Sequence, residues 1–236
     1  MNRQRLDKII SSQLNISRTE AKTDIRAGAV CVDGLIVRSP SFLLDTDNSE
    51  ITYKGQAVNY KKYIYLVMNK PKGVLSASTD KNRQTVVDLV PPELRRTDLA
   101  PVGRLDKDTT GLLLITDDGQ FAHKVISPKS DIKKLYDAEL DGEVSPADIQ
   151  KFKDGIVLAD GTACLPAMLK VTENRKALVE IKEGKYHQIK RMFGVIGLGV
   201  VELKRLKIGG FALPNDLKEG ECRELTEYEL KSILSR

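Results

Sequence analysis

Apolar residues recur at helical spacing along the start of the chain. They stand at Leu6, Ile9, Ile10 and Leu14. One face of an α-helix repeats about every 3.6 residues, so this spacing predicts an amphipathic first helix. A second helix is predicted from Ser17, because Ser17 and Glu20 have the spacing of a capping box. Gly28 is expected to end it, since glycine readily adopts the left-handed conformation that follows many helices.

A hairpin is predicted directly after the second helix. In the segment AVCVDGLIV, alternating apolar residues flank Asp33 and Gly34, and such a pair favours a two-residue turn. Helix, helix and hairpin would form a compact unit that ends near residue 60. The stretch from Gly55 to Lys62 is polar and is interpreted as a linker.

The longer remainder of the chain alternates irregularly between strand-like and helical patterns. Strands are predicted at 63–69, 111–117, 133–142, 163–172, 176–183 and 199–209, and helices at 119–126, 145–154 and 185–196. Strands outnumber helices and do not alternate with them one for one. This favours the α+β class, with a mainly antiparallel β-sheet flanked by helices, over a doubly wound parallel sheet. We therefore expect two domains, residues 1–60 and 61–236.

The composition is that of a globular protein with a surplus of basic residues. Of 236 residues, 41% are hydrophobic and 30% charged, and the formal net charge is +5. Such a chain can form a core without disulfide or metal support. Its three cysteines are far apart, and it has no signal-peptide pattern or membrane-spanning run, so a location in the reducing cytoplasm is expected. No pattern in the sequence suggests an oligomer, so a monomer is expected. The positive charge is compatible with a polyanionic partner, but many proteins share it.

The first 28 residues contain six basic side chains against three acidic ones. The basic ones are Arg3, Arg5, Lys8, Arg18, Lys22 and Arg26. Arg18, Lys22 and Arg26 are spaced by four and therefore lie along one face of the second helix. Such a stripe can follow a phosphate backbone, and it can equally be a solvated helix face.

Three polar stretches stand out in the larger region. They are NKPKGV at 69–74, GRLDKDTTGLLLITDDG at 103–119 and EGKYHQIKRMF at 183–193. In the second, a charged loop that includes Asp106 precedes an apolar strand, and an aspartate there is either a turn former or part of a site. From 183 to 207 there are six basic and two acidic residues, which makes this segment a second candidate contact with phosphates.

The order of residues in the first 45 positions resembles the S4 RNA-binding domain. RLDKII is followed by SRTEAKTDIRAGAVCVDGLIV, close to the family pattern of R-L-D, S-R and alternating valines before glycine. The resemblance implies RNA binding through a basic helical surface. Its candidate contacts here are Arg3, Arg5, Arg18, Lys22 and Arg26.

The three polar stretches together resemble the RsuA-type pseudouridine synthases, and the similarity spans almost the whole chain. Every element of GRLDxxTxGLLLxTxDG is present, and YHQIKRMF is a second match. The resemblance implies a catalytic aspartate at Asp106, an active-site tyrosine at Tyr136 and a basic partner at Lys190. Ile189 would lie beside the target uracil, and Arg104 would help to hold the RNA. Lys70 and Arg191, in the first and third stretches, are further candidates for substrate binding.

The reaction that this resemblance implies is an isomerisation. The bond from uracil N1 to the ribose breaks and a bond from C5 to the same carbon forms, so no cofactor or metal is expected. An ionised carboxylate in a closed site needs a nearby cation, because burial alone favours the neutral acid, and Lys190 is the predicted cation. Asp106 could add to the base, attack the sugar carbon or assist departure of the base.

Within this family, the ending KRMF and the later VVELKRLKIGG resemble the small-subunit enzymes more than their large-subunit relatives. The resemblance implies action on the uridine at position 516 of 16S rRNA, within a partly assembled subunit. The same chemistry on 23S rRNA is an alternative. A second alternative is a non-catalytic assembly factor that binds rRNA.

Overall fold

The structure, a computed structural model, describes residues 3–235. It divides into two compact units. The first extends to Ile64 and also includes Pro92–Leu99; the second comprises Tyr65–Pro91 and the chain from Ala100 onward. No helix within the described residues is long and apolar enough to span a bilayer.

The first unit contains two helices and a small antiparallel sheet. Its elements are β1 (Arg3–Arg5), α1 (Leu6–Leu14), α2 (Arg18–Ala27), β2 (Val30–Val32), β3 (Leu35–Ile36), β4 (Leu43–Asp45), β5 (Ile51–Tyr53) and β6 (Gln56–Ala57). The sheet has the order β3-β2-β5-β6, and β1 pairs separately with β4. Apolar side chains from both helices, including Leu6 and Ile25, form one core with Val30 and Ile51 of the sheet.

The predicted turn chemistry of this unit is present in the structure. The Ser17 hydroxyl accepts a hydrogen bond of 3.1 Å from the Glu20 amide, which satisfies a donor that the start of a helix leaves free. Gly28 ends α2 with a φ of 85°. Asp33 and Gly34 both have positive φ angles, 51° and 79°, as a tight hairpin turn requires.

The interpretation of residues 55–62 as a linker is wrong. Lys54 and Gly55 form a second tight turn with positive φ angles, and Gln56–Ala57 pairs with β5 as strand β6. Further along, the Lys61 amide donates 3.0 Å to the side chain of Gln13. The polar composition reflects an exposed hairpin edge, because a two-stranded edge buries few side chains.

The second unit is built on a nine-stranded sheet. Its strands are β7 (Tyr65–Lys70), β8 (Ala100–Pro101), β9 (Thr110–Thr116), β10 (Lys134–Leu140), β11 (Met168–Glu173), β12 (Lys176–Ile181), β13 (Val200–Ile208), β14 (Phe211–Ala212) and β15 (Cys222–Glu224). The order is β11-β12-β10-β13-β9-β7-β15, with β8 on β9 and β14 on β13. The pairing of β9 with β13 is parallel, and the other pairs are antiparallel, so the α+β class is confirmed.

Four helices accompany this sheet. They are α3 (Gly119–Ile126), α4 (Pro146–Asp154), α5 (Gln188–Val195) and α6 (Glu227–Ile233). The predicted helices agree with α3 and α4, and α5 begins three residues later than expected. The predicted strand at 163–172 forms only from Met168, because Pro166 has no N–H to donate to a ladder. The short strands β8, β14 and β15, and helix α6, were not predicted.

The backbones of β9 and β13 approach each other closely at Gly111, next to the loop 103–109. Gly111, near the start of β9, has a φ of 95°, and a Cβ atom there would lie 2.3 Å from the carbonyl oxygen of Arg205 in β13. Only glycine permits this contact. It locks the end of the loop 103–109 against β13.

Candidate active site

The loop between β8 and β9 holds Asp106 in a defined conformation. The Thr109 amide donates 3.1 Å to the Asp106 carbonyl. The hydroxyl of Ser76 donates to the carbonyl of Leu105 at 2.8 Å and accepts from its amide at 3.1 Å. These bonds fix the backbone on both sides of Asp106, so the carboxylate has a stable position.

Lys70 forms hydrogen bonds to the backbone of the same loop. Its side chain is fully buried, and its ammonium donates to the backbone carbonyls of Pro71 at 3.0 Å, Lys107 at 3.2 Å and Thr109 at 3.0 Å. Burial lowers the pKa of Lys70 to about 8, although the charge of Asp108 opposes that shift. The prediction that Lys70 binds the substrate is wrong, because its three donors point into the protein.

Two nitrogen atoms lie close to the Asp106 carboxylate. His187 Nε2 is 3.4 Å from Oδ1, and Lys190 Nζ is 3.9 Å from Oδ2. Lys190 donates its hydrogen bond of 2.6 Å to Asp108, not to Asp106, and this bond lowers the pKa of Asp108. The predicted cation is therefore shared between two carboxylates, and a histidine is nearer to Asp106 than the lysine is.

A small cavity of about 70 Å³ opens beside Asp106. Five residues singled out in the sequence line it: Arg104, Asp106, Tyr136, Ile189 and Lys190. They come from the loop, from β10 and from α5, so only the tertiary structure brings them together. The volume is several times what one water molecule needs, and the walls combine a carboxylate, cations, an aromatic ring and an aliphatic side chain.

Arg205 is buried next to Tyr136, although it does not itself line the cavity, and this position was not predicted from the sequence. It is buried in β13, where Nε donates 2.7 Å to the Leu112 carbonyl and Nη1 lies 3.4 Å from the Tyr136 hydroxyl. Its Nη2 has no hydrogen-bond partner among residues 3–235. The basic segment 183–207, which includes Arg205, was predicted to contact phosphates. For Arg205 this prediction is wrong, because its guanidinium is buried. The available signal was the strand alternation, which turns Leu203 and Arg205 to one face.

The other basic residues of that segment have separate roles. Arg191 does not line the cavity; its guanidinium forms an ion pair of 2.5 Å with Asp160 and lowers the pKa of that carboxyl to about 2. The prediction that Arg191 binds the substrate is therefore not supported by its position. Lys185 pairs with Glu183 at 2.7 Å, at the edge of the site.

The predicted RNA contacts of the first unit divide into two groups. Arg3 and Arg26 are exposed, and Lys22 is partly exposed. Arg5 and Arg18 form ion pairs of 2.9 and 3.4 Å with the buried carboxylate of Asp7 and remain about half exposed. The hydrogen bond from Arg5 lowers the pKa of Asp7 to about 2. These two arginines thus stabilise the unit while their outer faces stay accessible.

A larger cleft of about 1090 Å³ adjoins the small cavity. The two share Arg104, Asp106 and His187. The cleft extends past Arg83 and Tyr186, so it has room for a ligand much larger than the small cavity holds.

Family models match both units of the chain. Residues 64–194 match the model described as RNA pseudouridylate synthase, and residues 4–51 match the S4 domain. The Asp106 loop, Tyr136 and Lys190 all fall within the first match. The two matches also follow each other in the order that the sequence motifs predicted.

Named relatives and a solved structure agree with these models. The chain is 44% identical to an uncharacterised RNA pseudouridine synthase of Bacillus subtilis, with 96% of each chain covered. It is 40% identical to ribosomal small subunit pseudouridine synthase A of Escherichia coli, with 98% of this chain and 100% of that protein covered. A crystal structure of a pseudouridylate synthase superimposes with a TM-score of 0.68 at 35% identity, covering 97% of this chain and 99% of the other. The chain therefore belongs to the RsuA-type RNA pseudouridine synthases, enzymes that join an S4 domain to a catalytic domain.

Proposed function

We propose that this enzyme converts one uridine of 16S rRNA, the uridine at position 516, to pseudouridine, with Asp106 as the catalytic carboxylate. The observation that supports the catalytic assignment is the cavity in which Asp106, Tyr136 and Lys190 meet. The small-subunit target is supported by 40% identity over both domains to relatives named for that subunit. We also propose that it acts as a monomer in the cytoplasm, where ribosomal subunits assemble.

The chemistry balances without any group entering or leaving. The bond from N1 of uracil to C1′ of the ribose breaks, and a bond from C5 to C1′ forms. The C5 proton is lost and a proton is gained at N1. Addition of Asp106 to the base, attack on C1′, and assistance to the departing base all satisfy this balance.

Each cavity residue has a role in that chemistry. Lys190 and His187 place positive charge or a hydrogen-bond donor within 4 Å of the carboxylate, where they can hold it in position and balance its charge during the reaction. The Tyr136 ring forms one wall for the uracil, and its hydroxyl can exchange a proton with the base. The aliphatic side chain of Ile189 forms another wall and keeps water from the base.

The target uridine must leave its stack before it can reach Asp106. Such extrusion costs a few kcal/mol and is least costly in RNA that is already unpaired. Exposed basic residues of the S4 unit, among them Arg3 and Arg26, can offset this cost by binding phosphates. Recognition of the natural substrate thus uses both domains.

The test is modification of purified rRNA in vitro. The enzyme is incubated with naked 16S rRNA, with partly assembled small subunits and with 23S rRNA, and pseudouridine is mapped by carbodiimide labelling and primer extension. Modification at position 516 is expected, and Asp106→Asn should bind the RNA but form no pseudouridine. Modification of 23S rRNA alone would show that the target lies in the large subunit. RNA binding by the wild type without any modification would indicate a non-catalytic assembly factor.

A further inference from the structure

Tyr186 and His187 form an aromatic stack at the mouth of the catalytic cavity. Their ring centroids are 3.8 Å apart and their planes differ by 20°. His187 adopts a left-handed backbone conformation with a φ of 46°, which is uncommon outside glycine, although histidine, asparagine and aspartate adopt it more often than other residues. This conformation lets two consecutive side chains stack on each other, with the imidazole next to Asp106.

The outer member of the stack is open to solvent. Tyr186 is 75% exposed, so one face of its ring covers His187 and the other face is available. Both residues line the larger cleft. The free ring face therefore lies one side chain away from the Asp106 carboxylate, whose Oδ1 is 3.4 Å from His187 Nε2.

The surroundings of this ring are suited to a nucleic acid backbone. Two further cleft residues, Arg104 and Lys107, form no ion pair with any other residue in the part of the chain that the structure describes. Their charges can therefore neutralise phosphates of an RNA chain in the cleft. An exposed aromatic face in a cleft that also contains unpaired cations is a common arrangement for holding an unpaired base, which stacks on the ring whatever its identity.

We propose that Tyr186 is a stacking platform for the base of an unpaired nucleotide next to the target uridine. His187 holds the platform against Asp106, so the stacked neighbour and the extruded uridine enter the cleft in a fixed relation. This inference depends on the proposed function, because it requires an RNA whose target uridine is turned out of its stack. It adds a specific subsite for a second nucleotide.

The kinetic test compares three variants on the rRNA that the wild type modifies. Tyr186→Leu removes the ring and should raise KM about 5- to 100-fold with kcat within about twofold, because stacking is lost equally in the ground and transition states. Tyr186→Phe keeps the ring and should stay within about twofold of the wild type. The matched control is Tyr228→Leu, which removes a tyrosine that is 83% exposed and outside the cleft. An unchanged KM for Tyr186→Leu, or a fall in kcat alone, would overturn the proposal.

A fluorescence measurement tests the stack directly and does not require turnover. An rRNA fragment with 2-aminopurine next to the target uridine, on either side in turn, is bound to Asp106→Asn with and without Tyr186→Leu. At one of the two positions the probe should be several-fold brighter without the tyrosine ring, since stacking quenches it. Equal brightness at both positions would refute the platform even if the wild type is fully active. A wild type that modifies no rRNA would instead remove the proposed function, and this inference with it.

Discussion

The ammonium of Lys70 donates a hydrogen bond of 3.0 Å to the carbonyl oxygen of Thr109. Thr109 is three residues beyond Asp106 and immediately precedes β9. A second bond from the same ammonium reaches the carbonyl of Lys107. A lysine of the stretch 69–74 thus fixes the backbone of the stretch 103–119, and we propose that it acts on the reaction by positioning Asp106 and not by contact with RNA.

Lys70→Met should lower kcat at least tenfold with KM for RNA nearly unchanged. The variant leaves buried carbonyls without donors, which should lower the free energy of unfolding by about 1–3 kcal/mol, and it lets the Asp106 loop move. Steady-state kinetics and urea denaturation measure both effects. The control is Lys72→Met, whose ammonium forms an exposed ion pair with Glu202 and should matter little. Normal kcat in Lys70→Met would show that the loop holds its shape unaided.

Lys190→Met should lower kcat about 10²- to 10³-fold, the usual effect of removing one charged or donor group that stabilises a reacting centre. Asp108→Asn should lower kcat less than about tenfold, because Lys190 then has Asp106 as its remaining carboxylate within 4 Å. Single-turnover rates with saturating enzyme give the comparison. If Asp108→Asn is as damaging as Lys190→Met, then the cation serves Asp108 and not Asp106.

Gly111→Ala should lower the free energy of unfolding of the second unit by about 2–4 kcal/mol. A Cβ atom there would meet the Arg205 backbone at 2.3 Å, and the φ of 95° is strained for alanine. Gly73→Ala is the matched control, because its φ is 90° but nothing lies within 4 Å of the added atom. Gly73→Ala should lower the free energy of unfolding by only about 1 kcal/mol. Equal losses of thermal stability would mean that strain, not the approach of β9 to β13, makes Gly111 necessary.

Asp7→Asn should destabilise the first unit by about 2 kcal/mol at neutral pH. The pKa of Asp7 is about 2 in the folded protein against an ordinary value of 3.8, so its contribution is complete above about pH 4 and is lost as the pH falls towards 2. The difference between wild type and variant should therefore shrink over that window. Hydrogen exchange of the α1 amides measures opening of this unit. Asp98→Asn, an exposed change in the same unit, should show no such pH dependence.

Local pattern was sufficient for much of the fold. The spacing of Leu6 to Leu14 located α1, Asp33-Gly34 located the hairpin, and alternation located β9, β10, β12 and β13 within about two residues. The Lys54-Gly55 turn was missed, because lysine is not a usual turn former. The parallel pairing of β9 with β13 was also missed, since no local period distinguishes a strand's partner.

The sequence by itself was sufficient to predict the fold class and the two families and to single out Asp106, Tyr136 and Lys190. Motifs and hydrophobic periodicity depend only on residues that are near each other in the chain. Only the tertiary structure decided which basic side chains face solvent. Lys70 and Arg205 are buried and Arg104 is exposed, although all three look alike in a basic segment. Burial depends on strands and loops that are distant in sequence, and the energy of a buried charge depends on the donors and acceptors that those elements bring to it.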